Sequence, residues 1–234
     1  MDAGRGGHLW AETYERNLTA ADLFAVQDEI VKQVVATVEQ PYGVIARSAM
    51  SAAKAKAPET LSAYECVLRY WTYEETLTPK EHLHMRDCLE SAVQTEPQYI
   101  EAWALLSSIY RHEILFGFNP RPGATPALDR ALSAAQRAVE LEPRNEIARL
   151  FLATVHFHRR EFEAFVREEE RALALSPNNS YALAASGMWL SFAGNWDRGT
   201  ALIKKAQALN PYHHGPSGSA GARSQCHPLR ATAP

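Results

Sequence analysis

The sequence is poor in the features that mark a specialised chemistry or compartment. Only three cysteines, Cys66, Cys88 and Cys226, occur among 234 residues, at no metal-ligand spacing. That excludes a disulfide-dense mini-protein, and the three read as reduced, partly buried thiols. No apolar run reaches the roughly 18 residues of a membrane span. Residues Met1 to Trp10 contain one arginine, three glycines and none of the apolar core of a secretory signal. Neither sign of charge is in excess: 24 Lys and Arg face 27 Asp and Glu, for a net charge of −3. No basic stripe is clustered, so no nucleic-acid partner is expected. Glycine (12) and proline (13) are near average, which excludes a collagen-like chain. With 46% apolar and 22% charged residues, the composition is that of an ordinary globular protein, expected in the cytoplasm and away from membranes.

Catalytic signatures are missing as well. There is no GxSxG, no P-loop and no GxGxxG between a strand and a helix. His156 and His158 form an H-x-H in a helical run, as do His82 and His84. Two residues apart on a helix, side chains point about 200° apart, so neither pair can grip one metal. The run Glu168-Glu169-Glu170, flanked by Arg167 and Arg171, reads as a solvated helix face. No catalytic residue, metal or cofactor is expected.

What is present is a period. Pro97, Pro143, Pro177 and Pro211 each follow a helix-like run; the last three are 34 residues apart, and the first gap is 46, one period plus a 12-residue insert. Between them the apolar spacing predicts paired helices: 60–77 with 79–95, 99–116 with 126–141, 146–158 with 161–175, and 180–193 with 196–209. Thr78-Pro79-Lys80-Glu81 supplies an N-cap, a proline at the first helical position and a capping-box glutamate. Asn145, Asn179 and Asn195 stand where N-caps are wanted, and Gly194 where a helix stops. Upstream, 20–40 is amphipathic through Leu23, Phe24, Ile30, Val31, Val34, Val35 and Val38. His8 to Arg16 has the alternation of a strand, with Trp10 and Tyr14 on one face. Residues 212–234, rich in Gly, Pro and Ser and without acidic residues, are expected to be disordered.

Two helices every 34 residues resemble the tetratricopeptide (TPR) repeat. In the second unit Trp103, Leu106, Ser107 and Tyr110 occupy positions 4, 7, 8 and 11, and Ala131, Ala138 and Pro143 occupy 20, 27 and 32. The third unit has Leu152, Ala153, Ala172 and Pro177 at 7, 8, 27 and 32, but Phe165 at 20, where alanine is usual. The fourth has Gly187, Gly199, Ala206 and Pro211 at 8, 20, 27 and 32. The first unit matches only in its second helix, through Leu89, Ala92 and Pro97. Small residues are needed where the two helices of a pair cross closely.

A second resemblance lies upstream. Gly7-His8-Leu9-Trp10-Ala11-Glu12-Thr13-Tyr14-Glu15-Arg16, followed by Leu23-Phe24-Ala25-Val26-Gln27-Asp28-Glu29-Ile30, resembles the end of the TolB-like domain of bacterial signalling proteins, many of which begin with a class III adenylate/guanylate cyclase domain. Tyr64 to Arg69 and Gly117 to Pro122 are similar to the same group. The resemblance implies an all-α, right-handed TPR solenoid of about four helix pairs with a strand remnant in front. The boundaries are 1–18 for the TolB-like remnant, 19–58 for connector helices, 59–211 for the repeats and 212–234 for the tail. It also implies a fragment of a longer protein, begun late and altered at its C-terminus, because no segment could supply the cyclase domain with its paired metal-binding aspartates.

Transferred by repeat position, the partner-binding groove is Glu101, Ala104, Ser108, Arg111 and His112 from the second unit. The third unit gives Ile147, Leu150, Thr154, Phe157 and His158, and the fourth Tyr181, Ala184, Met188, Ser191 and Phe192. The expected ligand is a peptide or helix with an apolar anchor near Phe157, Met188 and Phe192 and an acidic group near Arg111. The function this implies is a non-catalytic protein–protein interaction module, or alternatively a regulatory or dimerising segment of a cyclase. The last repeat carries no further capping helix, and weak homo-oligomerisation through it is expected.

Overall fold

The computed structural model describes residues 61–210, together with Gln27, Ile30, Val31, Met50 and Ala53. The strand expected at 8–16, most of the helix at 20–40, the TolB-like motif, Cys226 and the tail lie outside the described residues.

Residues 61–210 form eight helices and no strand: α1 (Ala63–Thr76), α2 (Pro79–Thr95), α3 (Ile100–Leu115), α4 (Ala127–Leu141), α5 (Glu146–His158), α6 (Phe162–Leu175), α7 (Ser180–Phe192) and α8 (Trp196–Leu209). They pack as consecutive pairs, most extensively α3 with α4, α5 with α6 and α7 with α8. Within this stretch the architecture is the helical solenoid implied by the 34-residue period.

The helix ends follow from local chemistry. Ser62 and Glu65 form a reciprocal capping box at α1. Thr78 accepts the Glu81 amide, with Pro79 at the first helical position of α2. The side chains of Asn145 and Asn179 accept the amides of Ala148 and Ala182, at 2.9 and 3.0 Å. Asn195 differs: its side chain caps nothing, and its amide instead donates to the Leu190 carbonyl at 2.9 Å, closing the turn from α7 to α8. One period earlier Glu161 does the same to His156 at 2.9 Å. Both turns need a left-handed residue just before the closing amide, supplied by Gly194 at φ 91° and Arg160 at φ 62°. Repeat position 4 has a second use. Trp103 Nε1 and Arg149 Nε donate to the carbonyls of Pro97 and Pro143 at 3.0 and 2.7 Å, fixing each helix on the turn before it.

The small positions are where helices meet. Ala131, Ala138, Ala153 and Ala172 are fully buried, and Ala206 nearly so. In the last pair the backbones themselves touch: a Cβ on Gly187 would lie 2.7 Å from the Gly199 carbonyl oxygen, and one on Gly199 would lie 2.6 Å from that of Gly187. Phe165 is tolerated at an alanine position because its ring enters an aromatic layer with Ala153, Phe157, Trp189 and Leu190.

The 12-residue insert is pinned to the first pair. Asn119 Nδ2 donates to the Pro79 carbonyl (2.6 Å) and to His82 Nδ1 (3.1 Å), and Arg86 donates to the Asn119 carbonyl (2.7 Å). Arg121 holds Glu90 with two bonds of 2.7 and 2.8 Å. Beneath it the buried Glu113 is shared by Arg86 and Arg130.

Two expectations are corrected. Cys66 and Cys88 are joined by a disulfide between α1 and α2, with a Cα–Cα distance of 5.8 Å. They are therefore not reduced thiols; each lies on the face its helix turns to the other, which helix spacing alone did not reveal. The run 168–170 is not a solvated face: Glu168 and Glu169 are buried and only Glu170 is exposed. Glu168 is neutralised there by Arg149 and Arg171, each at 2.6 Å.

Candidate functional site

The first helices of the pairs, α1, α3, α5 and α7, form one layer, and its inner face carries the positions transferred from the repeat pattern. α1 does not stack there as a fourth equivalent rung. Little more than one turn of it touches all three of the others. The Tyr70 ring meets Phe151 of α5 edge-on at 6.3 Å, and the Trp71 ring meets Tyr181 of α7 at 5.0 Å and 82°. Tyr73 stands on His112 of α3, and Glu74 Oε1 lies 3.7 Å from His112 Nε2. Met50 and Ala53 are buried in the same cluster as Leu150, Phe151, Tyr181 and Ala185.

This arrangement decides the state of each transferred residue. Ser108, Arg111, His112, Leu150, Thr154 and Tyr181 are buried; they form the floor beneath α1 rather than an open groove. Thr154 Oγ1 donates to the Leu150 carbonyl at 2.8 Å. Ala104 and Ala184 are buried too, whereas Ile147 and Ser191 are half-buried. Glu101, Phe157, His158 and Met188 are also half-buried and Phe192 is 51% exposed. These last five make the accessible rim.

Arg111 is the electrostatic centre. Its Nη2 donates to Ser108 Oγ (2.9 Å) and to His112 Nε2 (3.0 Å), and its guanidinium lies 5.3 Å from the centroid of the Trp189 ring. Nε and Nη1 are buried without a hydrogen-bond partner among the described residues. Burial lowers its pKa, against the pull of Tyr70, Glu74, Tyr181 and Tyr73. His112 is pushed well below its ordinary value, first by burial and then by the Arg111 charge, and is neutral. Since Nε2 accepts from Arg111, the proton sits on Nδ1 and is donated to Tyr73 Oη at 2.9 Å. The approach of Glu74 to His112 is therefore not an ion pair. Glu74 faces the Arg111 charge instead; burial raises its pKa, and the Tyr70 hydroxyl (2.5 Å) and Arg111 pull it back. Arg111 and His112, expected to be one exposed positive site, thus amount to one buried cation beside a neutral ring.

The rim is aromatic. Phe157 contacts Phe162, Phe165 and Trp189, and Trp189 contacts Phe192. His158 meets Trp189 edge-on at 5.1 Å and donates Nδ1–H to the Thr154 carbonyl (2.8 Å); burial and Arg111 hold its pKa down to about 4. The pattern transfer missed Trp189, which covers both Arg111 and Phe157, and the α1 residues Tyr70, Trp71 and Glu74. The available signal was the first unit's own departure: its first helix lacks the repeat's positions and carries three aromatics within four residues.

Among the described residues no group of three His, Cys, Asp or Glu converges as a metal site, and no helix is long and apolar enough to cross a membrane.

No protein-family model matches the chain. It is 30% identical over 143 residues to the Rhizobium meliloti (strain 1021) protein named "Putative adenylate cyclase 3", a match covering 61% of this chain but 23% of that protein. The chain thus spans about a quarter of the length of the curated relative it matches. A solved structure of MamA covers 84% of this chain and 97% of its own at 17% identity, with a TM-score of 0.41. TTC0263, a thermophilic TPR protein of Thermus thermophilus, covers 82% of this chain and 88% of its own at 18% identity and a TM-score of 0.52. With eight paired helices, small residues at their crossings and the likeness to TTC0263, residues 61–210 have the fold of a tetratricopeptide solenoid.

Proposed function

We propose that the chain is a non-catalytic protein-interaction module, working as part of a cyclase-type signalling protein and binding a peptide or helix on the inner face of α3, α5 and α7. The observation that carries this reading is that the face already holds a helix, through two aromatic anchors and a carboxylate 3.7 Å from His112, the neighbour of Arg111. A surface that grips α1 this way has the aromatic and Arg content of an interaction hot spot. The rim residues Phe157, His158, Met188 and Phe192 extend it.

The likeness to a cyclase relative supports a module that works within a signalling chain, with catalysis supplied elsewhere in that chain. A regulatory or dimerising role inside such a chain is favoured by the exposure of Phe162, Phe192 and Trp196, at 51%, 51% and 60%.

The test compares capture of cellular proteins by the wild-type chain and by Phe157→Ala/Phe192→Asp. A binding protein recovered by the wild type and depleted at least about tenfold by the variant supports the reading; equal recovery removes it. Light scattering over a concentration series tests the second role, and no cyclic nucleotide should form from ATP or GTP.

A further inference from the structure

α1 is more than the first rung of a solenoid. It touches three other first helices, while its packing on its own partner α2 is looser than in the later pairs. Its contacts have the layout of a bound ligand: Tyr70 on Phe151, Trp71 on Tyr181, Tyr73 on His112, and Glu74 Oε1 3.7 Å from the His112 nitrogen to which the buried Arg111 donates. They fall at i, i+1, i+3 and i+4, so the recognition element is little more than one helical turn. The floor beneath it is not fully satisfied by that turn. Arg111 is 6% exposed, and its Nε and Nη1 find no hydrogen-bond partner among the described residues. A resident helix that leaves a buried guanidinium half-paired leaves room for a better one.

We propose that α1 is a resident, displaceable ligand of this face, and that the partner is an amphipathic helix carrying two adjacent aromatic residues and a carboxylate one turn later, which takes the place of α1. The proposal rests on the interaction reading above and specifies its ligand. Charge complementarity argues for the carboxylate: the only cation in the floor is Arg111 among the described residues that α1 covers, and His112 beside it is neutral. The edge-on rings argue for the aromatic pair. The Cys66–Cys88 bond ties α1 to α2 near its start, and the short link at Leu77 and Thr78 ties it at its end. Exchange therefore requires that bond to open.

The probe is a fluorescent peptide with the sequence of residues 62–77, added to the full chain with and without dithiothreitol. The dithiol opens the Cys66–Cys88 bond, leaving two thiols as it closes to its own cyclic disulfide. The oxidised chain should bind the peptide at least tenfold more weakly than the reduced chain. Reduced Trp71→Ala, whose resident helix has lost an anchor, should bind it most tightly. A peptide carrying Glu74→Lys should lose at least tenfold. No binding to a reduced Trp71→Ala chain that keeps wild-type helical dichroism overturns the proposal, and so does equal binding of the Glu74→Lys peptide. If Trp71→Ala does not fold, hydrogen exchange in the reduced wild type decides: added peptide should speed exchange in α1 while α3 and α5 stay protected, and unchanged α1 exchange overturns it. A dimer formed by the reduced chain that excludes the peptide assigns the face to a second copy and also overturns it. Capture that persists in the cell while the peptide fails to bind would sink this ligand and leave the interaction reading standing. Equal capture by the rim variant would sink that reading alone.

Discussion

Glu169 lies on α6, 1% exposed, with neither carboxylate oxygen hydrogen-bonded among the described residues. Burial raises its pKa to about 7, against the opposing pull of the Ser186 hydroxyl on α7 and the Arg198 guanidinium on α8. The folded chain keeps this proton where the unfolded chain, with an ordinary carboxylate near 4.5, has released it. Stability from this group is therefore full below that range and falls as pH rises toward 7. Glu169→Gln should abolish the fall: in urea titrations the variant should be more stable than wild type by about 3 kcal/mol at pH 8 and equal to it at pH 4. His158, held down to about 4, acts in the other direction. The unfolded chain protonates first, so its contribution is full above about 6.5 and is lost as pH falls through 4. His82 and His112, both lowered chiefly by burial, add to that acid limb. At Arg160 the backbone carries a left-handed φ of 62° where the next turn has Gly194. Arg160→Gly should raise stability by about 1 kcal/mol in the same titration, the steric cost removed outweighing glycine's extra chain entropy.

Helices and their pairs are where the sequence speaks most clearly. The ranges read for α2, α5 and α8 coincide with the structure, and the others shift by one to three residues. They are legible because their determinants are local: a proline after each second helix, Asn145 and Asn179 at caps, alanines at crossings. The Gly187–Gly199 contact is the sharpest case, since each residue clears the other's carbonyl only by lacking a Cβ. Gly187→Val should cost about 3 kcal/mol or more, read as a fall in the denaturant midpoint at unchanged m-value; a change below about 1 kcal/mol would mean the two helices are not in contact. The disulfide was not legible, because a separation of 22 residues says nothing about which helix faces meet. Removing it with Cys66→Ser/Cys88→Ser should lower stability by about 3 kcal/mol through the freed loop, with α1 losing order before the later pairs. Buried Glu168 and Glu169 were missed for a related reason. A charge run predicts solvent unless a partner is known, and Arg149, the partner of Glu168, sits on another helix.

Across the whole molecule, the groove shows where reading by repeat position stops. Each transferred residue does lie on a first helix, yet eight of the fifteen transferred positions are buried, in a layer that α1 spans from the first unit to the fourth. No local pattern encodes a contact between Trp71 and Tyr181; only the poor match of the first unit hinted that its helix is used differently. A double-mutant cycle of Trp71→Ala and Tyr181→Ala should give a coupling of about 1 kcal/mol, whereas a plain stack would give none between its end units. That bridge has a consequence for how the chain comes apart. An array in which each unit touches only its neighbours unfolds piecemeal, its ends fraying at low cost. Tying the first unit to the fourth turns the row into a closed circuit, in which loss of either end removes support from the other. With the Cys66–Cys88 bond closed, unfolding should then collapse into one cooperative transition, with calorimetric and van't Hoff enthalpies in agreement. Refolding should be slow for a helical array, because it must bring together residues about 110 positions apart.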